Sequence, residues 1–121
     1  MSITTDRMRS IVRAIEKHRI PTSSEAEAQR GVELALIAAG LAFEPQRVIP
    51  PGERIDVMCG GVAIEIKVRG PAARILSQLE RYASCDEVCG LILVTSTPWA
   101  SAAGEIGGKP FRAVMLGRGW L

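Results

Sequence analysis

Aromatic residues make up only 4% of this 121-residue chain, and histidine occurs once. So few aromatics offer no broad platform on which unpaired bases could stack. The single histidine, His18, sits among Arg13, Lys17 and Arg19, which leaves no histidine cluster for a metal or a proton relay. Cysteine is equally sparse: Cys59, Cys85 and Cys89 are an odd number without Cys-x-x-Cys spacing. That pattern argues against a disulfide framework and against a thiolate zinc site, and it predicts reduced, small, buried side chains. No apolar run approaches the roughly 18–20 residues that cross a bilayer. The opening residues lead into a charged stretch and not into the apolar stretch of a signal peptide, so the expected location is cytoplasmic, away from membranes. Internal repeats and low-complexity tracts are also missing.

What is present fits one globular domain spanning 1–121, with 47% hydrophobic and 23% charged residues. The net charge of +2 is mild but uneven, because Arg7, Arg9, Arg13, Lys17, His18 and Arg19 crowd the N-terminal segment. Two readings stand for that segment: a basic surface that meets phosphates, or a solvated helix face.

The most informative stretch runs from Arg54 to Val68. Alternating apolar residues flank Gly60-Gly61, the pattern of two short strands joined by a tight turn. With the two glycines as the loop, Cys59 faces Val62 and Asp56 falls opposite Glu65. Directly opposed residues share a face of the sheet, about 5 Å apart at Cβ, so two carboxylates converge. The period of two adds Lys67 to their face and sends Ile64, Ile66 and Val68 to the other, with Ile55 and Val57 expected there too. Opposed like charges destabilise a ladder unless a cation lies between them. Lys67 is one such cation, and a hard ion such as Mg²⁺ or Mn²⁺ is the other.

Around this hairpin the expected elements follow in order. A short amphipathic helix at about 5–18 carries Met8, Ile11, Val12 and Ile15 at helical spacing. Pro21 breaks it, and Ser24 with Glu27 forms a capping box for a second helix ending at Gly40. Ala28, Val32, Ala35, Leu36 and Ala39 line its core stripe. Glu25 and Gln29 continue that stripe at its N-terminal end, while Glu27 and Glu33 look solvent-facing, although Glu27 competes with Glu25 if the helix is rotated. Glu25 therefore has two readings: a partner of the first-turn dipole, or an acid reaching over the edge of the core toward the hairpin. A strand is expected over 41–49, with Pro45 favouring an edge, and Pro50-Pro51-Gly52 turns into the hairpin. A third helix begins near Pro71, and 91–95 reads as a strand covered on both faces. Residues 96–110 read as a loop or as a segment with a short helical turn, and 111–116 as a last strand, with Trp120 and Leu121 folding back. The total is a mixed sheet of about four to five strands flanked by helices.

Asp56, the strand Ile64-Glu65-Ile66-Lys67 and the order of elements resemble the core of the PD-(D/E)xK nuclease superfamily. Its members include restriction endonucleases, archaeal Holliday-junction resolvases and small phage-type nucleases. The similarity covers about 24–95, and the first helix lies outside it. Ile55 stands before Asp56 where the pattern has proline. Ser77-Gln78-Leu79-Glu80-Arg81-Tyr82 looks like the helix that follows the motif in small members, where a glutamine contributes to the active centre, and Glu25 matches the acid on the helix before the sheet.

The resemblance implies an α/β, restriction-endonuclease-like three-layer core and metal-dependent, endonucleolytic hydrolysis of phosphodiester bonds in DNA, with selectivity for DNA structure as one option. It implies Asp56, Glu65, Lys67, Gln78 and Glu25 as site residues, with Asp56, Glu65, Glu25 and the Ile66 carbonyl holding Mg²⁺, for which Mn²⁺ substitutes. Lys67 either deprotonates or orients the attacking water, or stabilises charge on the phosphate. Cutting both strands of a duplex calls for two sites, hence an expected homodimer. Two rivals remain: a catalytically inactive nucleic-acid-binding or accessory protein on the same fold, and an interaction domain whose acids and lysine form an ion-pair cluster.

Overall fold

Three helices and six strands account for residues 2–117, the part of the chain described by the computed structural model. Helix α1 (Ile3–Glu16) and helix α2 (Glu25–Ala38) precede strands β1 (Glu44–Ile49), β2 (Glu53–Cys59) and β3 (Val62–Lys67). Helix α3 (Ala72–Ala83) then leads to β4 (Gly90–Thr95), β5 (Ala103–Ile106) and β6 (Lys109–Met115). They form one mixed sheet in the order β1-β2-β3-β4-β6-β5. The β1–β2, β2–β3 and β5–β6 pairs are antiparallel, and β3–β4 and β4–β6 are parallel.

Helices α1 and α2 start where a serine supplies a partner for a free N–H group, whereas α3 starts after Pro71 with no side-chain cap. Ser2 accepts from the Thr5 amide and Ser24 from the Glu27 amide, and Gly40 closes α2 at φ +73°. The β3–α3–β4 crossover gives a parallel pair, and all six residues of β4 are buried because helices cover both faces. On one face α1 and α2 pack Met8, Ile11, Ile15, Val32 and Leu36 against Ile64, Ile66 and Ile92. On the other, α3 packs Ile75, Leu79 and Tyr82 against Ala63, Leu91 and Leu93. The first helix is thus part of the core.

The sheet is larger than the sequence suggests. Strand β5 lies inside the segment expected to be a loop, because 103–106 is a short, mostly exposed edge strand with no alternation of buried residues to betray it. Strand β1 is the other edge, where Pro45 breaks no internal ladder, and it begins at Glu44, three residues later than expected. Cys59 and Cys85 are buried thiols as expected, whereas Cys89 is exposed. The expectation for Trp120 and Leu121 lies outside the described residues.

A candidate carboxylate site where the β2–β3 ladder breaks

The hairpin has the register its sequence implies at the closed end. Cys59 pairs with Val62, Met58 with Ala63 and Val57 with Ile64. The turn needs Gly60, which adopts φ +62° and lies under the Arg7 guanidinium. Arg7, counted above among the cations of a basic segment, is thus packed against the hairpin. Arg9 lies 3.9 Å from Asp6, and His18 is hydrogen-bonded through Nδ1 to the Ala14 carbonyl.

Beyond Val57 the ladder stops, so Asp56 and Glu65 are not the directly opposed pair that strict alternation demands. The β1–β2 pairing also passes over Gln46 and Asp56 while holding Pro45–Val57 and Arg47–Ile55. Gln46 takes a left-handed φ of +51°, rare for a residue with a side chain. One consequence corrects the expected faces. Ile55 and Val57 do not share a side: Ile55 packs with α3, and Val57 packs with α1 and α2. Strict alternation would put residues two apart on one face, so β2 carries a local irregularity at Asp56.

That irregularity turns the Asp56 side chain toward β3. Its Oδ2 accepts a 2.9 Å hydrogen bond from the Ile66 amide, so a carboxylate takes the place of a ladder carbonyl. The Asp56 carbonyl accepts at 3.1 Å from Gln29 Nε2 on α2. Gln29 also donates to Glu33 at 2.9 Å and accepts from Gln46 Nε2 at 2.8 Å. Glu33, expected to face solvent, is half-buried by this contact.

Glu65 lies on the α3 face of β3 and is only 2% exposed. Its Oε1 is 2.9 Å from the Tyr82 hydroxyl, which also reaches the Arg54 carbonyl at 2.8 Å and receives Gln78 Nε2 at 2.8 Å. A phenol has one proton to give. The Arg54 carbonyl and Glu65 Oε1 share it as acceptors. The surroundings nevertheless favour the protonated carboxyl. Burial, followed by the Asp56 charge, pushes the Glu65 carboxyl up to about 8, and its contact with Asp56 adds to the rise. The Tyr82 hydrogen bond and the Lys67 charge pull the other way. Burial beside Glu65 likewise pushes the Tyr82 phenol above its ordinary range.

Of the residues singled out in the sequence, Asp56 and Glu65 come together, Lys67 follows two residues along β3, and Gln78 reaches Glu65 through Tyr82. Glu25 does not join the two acids. It comes from the helix on the other face of the sheet and pairs with Lys67, Oε1 to Nζ 3.8 Å. Among the described residues no group of three or more His, Cys, Asp and Glu side chains is placed to hold a metal. The donor set is therefore two carboxylates and, on the same edge of β3 as the Ile66 amide, the Ile66 carbonyl. Hard oxygen donors set side by side suit Mg²⁺ or Mn²⁺, and Mg²⁺ commonly keeps several waters when only one or two carboxylates hold it. The chemistry of the donor set fits a divalent ion.

Two residues of this site escaped the sequence reading. Tyr82 reads as part of the apolar stripe of α3, although its position four after Gln78 puts their side chains together. Gln29 lies on the expected stripe of α2, where a polar residue facing a core signals a buried partner. A cavity of about 370 Å³ on the flank of α3 facing β5, lined by Leu76, Trp99, Ile106 and Phe111, contains none of the site residues. No family model, curated protein or solved structure matches the chain. Among the described residues no helix is long and apolar enough to cross a membrane.

Proposed function

We propose that this chain is a metal-dependent endonuclease that hydrolyses phosphodiester bonds of DNA, on a restriction-endonuclease-like core of the PD-(D/E)xK type. The observation that carries the reading is the contact between Asp56 and buried Glu65 at the broken end of the β2–β3 ladder. Pressing two carboxylates together costs stability, and a cation between them removes the cost. Asp56, Glu65 and the Ile66 carbonyl are the groups that would hold Mg²⁺. When bound, the ion supplies Lewis-acid polarisation of a phosphoryl oxygen and a water of lowered pKa.

The other residues have separate work. Tyr82, held by Gln78, fixes the Glu65 carboxyl from the α3 side, beside Asp56. Lys67 brings an ammonium to the same end of β3, where it either orients and deprotonates the attacking water or balances charge on the phosphate. Glu25 steadies that ammonium from α2 as a half-exposed ion-pair partner, which makes it a positioning residue in this reading and not a metal ligand. Cleavage of both strands of a duplex would bring two copies of the chain together.

The test is incubation of the purified protein with plasmid, single-stranded and branched DNA, with and without Mg²⁺ or Mn²⁺. Cleavage is expected only with metal. Asp56→Ala and Glu65→Ala should abolish it, and Lys67→Ala should lower the rate by roughly 10²–10⁴-fold. DNA binding without cleavage under every metal condition would replace this reading with the accessory-protein one. Neither DNA binding nor metal affinity by calorimetry would leave an ion-pair cluster.

A further inference from the structure

We infer that Gln29 is the positioning residue that sets Asp56 for its role, a step that rests on the nuclease reading above. The inference starts from backbone hydrogen bonding. A strand between two neighbours normally gives every carbonyl to a ladder, and a buried carbonyl without a partner is destabilising. Residue 56 is passed over by the pairing on both sides of β2, so its carbonyl needs another donor. Gln29 supplies that donor from α2 at 3.1 Å, across a sequence separation of 27 residues.

The remaining atoms of the Gln29 amide are fixed as well. Its oxygen accepts from Gln46, the residue opposite Asp56 whose φ of +51° marks the irregularity on β1. Its nitrogen also donates to Glu33, one turn further along α2. One amide therefore joins both strands at the position where the ladder is broken, and its orientation is set from α2. The consequence for Asp56 is directional. With the carbonyl drawn toward α2, the side chain is left to turn along the sheet to the Ile66 amide and the Glu65 carboxyl. Without that hold, β2 can regain regular pairing, which moves residue 56 onto one face of the sheet and away from the Ile66 amide.

Exchange of the Ile66 amide proton reads this directly in the metal-free protein, because its partner is the Asp56 side chain. Gln29→Leu removes both donors at similar volume, and Gln29→Glu keeps the acceptor for Gln46 while losing the donor to Asp56. Gln46→Gly removes the other half of the clamp from an exposed position where glycine accepts positive φ. In each folded variant Ile66 exchange should speed up at least tenfold while Ile64, inside the regular ladder, keeps the parent rate. Mn²⁺ affinity by calorimetry should weaken by roughly 10–100-fold. With the parent's DNA substrate, kcat should fall while KM stays near the parent value. Parent-like Ile66 exchange and parent-like Mn²⁺ affinity in folded Gln29→Leu and Gln46→Gly would overturn the inference. A parent that binds no Mn²⁺ and cleaves no DNA, with Ile66 exchange still responding to Gln29, would overturn the nuclease reading and leave the hold on Asp56 standing.

Discussion

The two ends of the β2–β3 hairpin obey different rules. At the closed end, three successive pairs follow strict alternation from the Gly60-Gly61 turn. At the open end, one residue further, the ladder gives way to side chains: Asp56 bonds a backbone amide, and Tyr82 from α3 bonds the Arg54 carbonyl. The closed end is organised by local geometry and by burial of Val57, Val62 and Ile64. The open end is organised by polar groups arriving from α2 and α3. A regular ladder would have satisfied the same backbone atoms with no help from distant helices. The difference therefore shows where the fold departs from its own simplest arrangement, and that departure coincides with the pair of carboxylates.

The largest effect that separates the two ends is that of pH on the metal-free protein. Glu65 has a folded pKa of about 8 against an ordinary 4.5, so the folded state holds a proton that the unfolded chain releases through that window. Its contribution to stability is fully present below pH 4.5 and is lost as pH rises through 8, at about 1.4 kcal/mol per pH unit in between. Thermal unfolding should therefore occur at lower temperature at pH 8 than at pH 5. Glu65→Gln should flatten that dependence and raise the unfolding temperature at pH 8, since the amide keeps an oxygen to accept from Tyr82 and carries no charge. Mg²⁺ should stabilise the parent at pH 8 and leave Glu65→Gln unchanged. A pH-independent parent would break the comparison, because the open end would then carry no strain.

Removal of the Asp56 side-chain acceptor should have the opposite sign to Glu65→Gln and a smaller size. Asp56→Ala strands the Ile66 amide and should cost about 1–3 kcal/mol in denaturant unfolding, whereas Asp56→Asn, which keeps an oxygen for that amide, should cost less. Relief of repulsion alone would make both changes stabilising. The smallest expected effect lies at the closed end. Gly60→Ala forces a side chain into φ +62° under Arg7 and should lower stability by about 1–2 kcal/mol, with metal-dependent cleavage unaffected. Loss of cleavage in that variant would mean that the turn and the carboxylates are coupled.

Much of this was legible in the chain because it depends on near neighbours. The cap at Ser24, the stop at Gly40, the turn at Gly60 and the buried strand after α3 each rest on a few adjacent residues. The hidden parts depend on contacts that no local period encodes. Strand β5 exists because β6 offers it an edge, and its exposed residues carry no alternating pattern. Tyr82 is apolar enough in its helix to read as core, and only the approach of Glu65 and Arg54 reveals what its hydroxyl does.

By itself the sequence determined that Asp56 and Glu65 lie on adjoining strands near a two-residue turn, with Lys67 close behind. Alternation and turn chemistry are properties of the covalent chain, and they reach that far. How the two acids meet was decided only by the tertiary structure. Asp56 lies along the sheet instead of standing on its face, Glu65 is closed over by Tyr82, and Glu25 goes to Lys67 and not to the acids. Hydrogen bonds from two helices on opposite faces outweigh the pairing that β2 would otherwise continue, and such bonds appear only once the sheet has brought residues 29, 46, 56, 65 and 82 together.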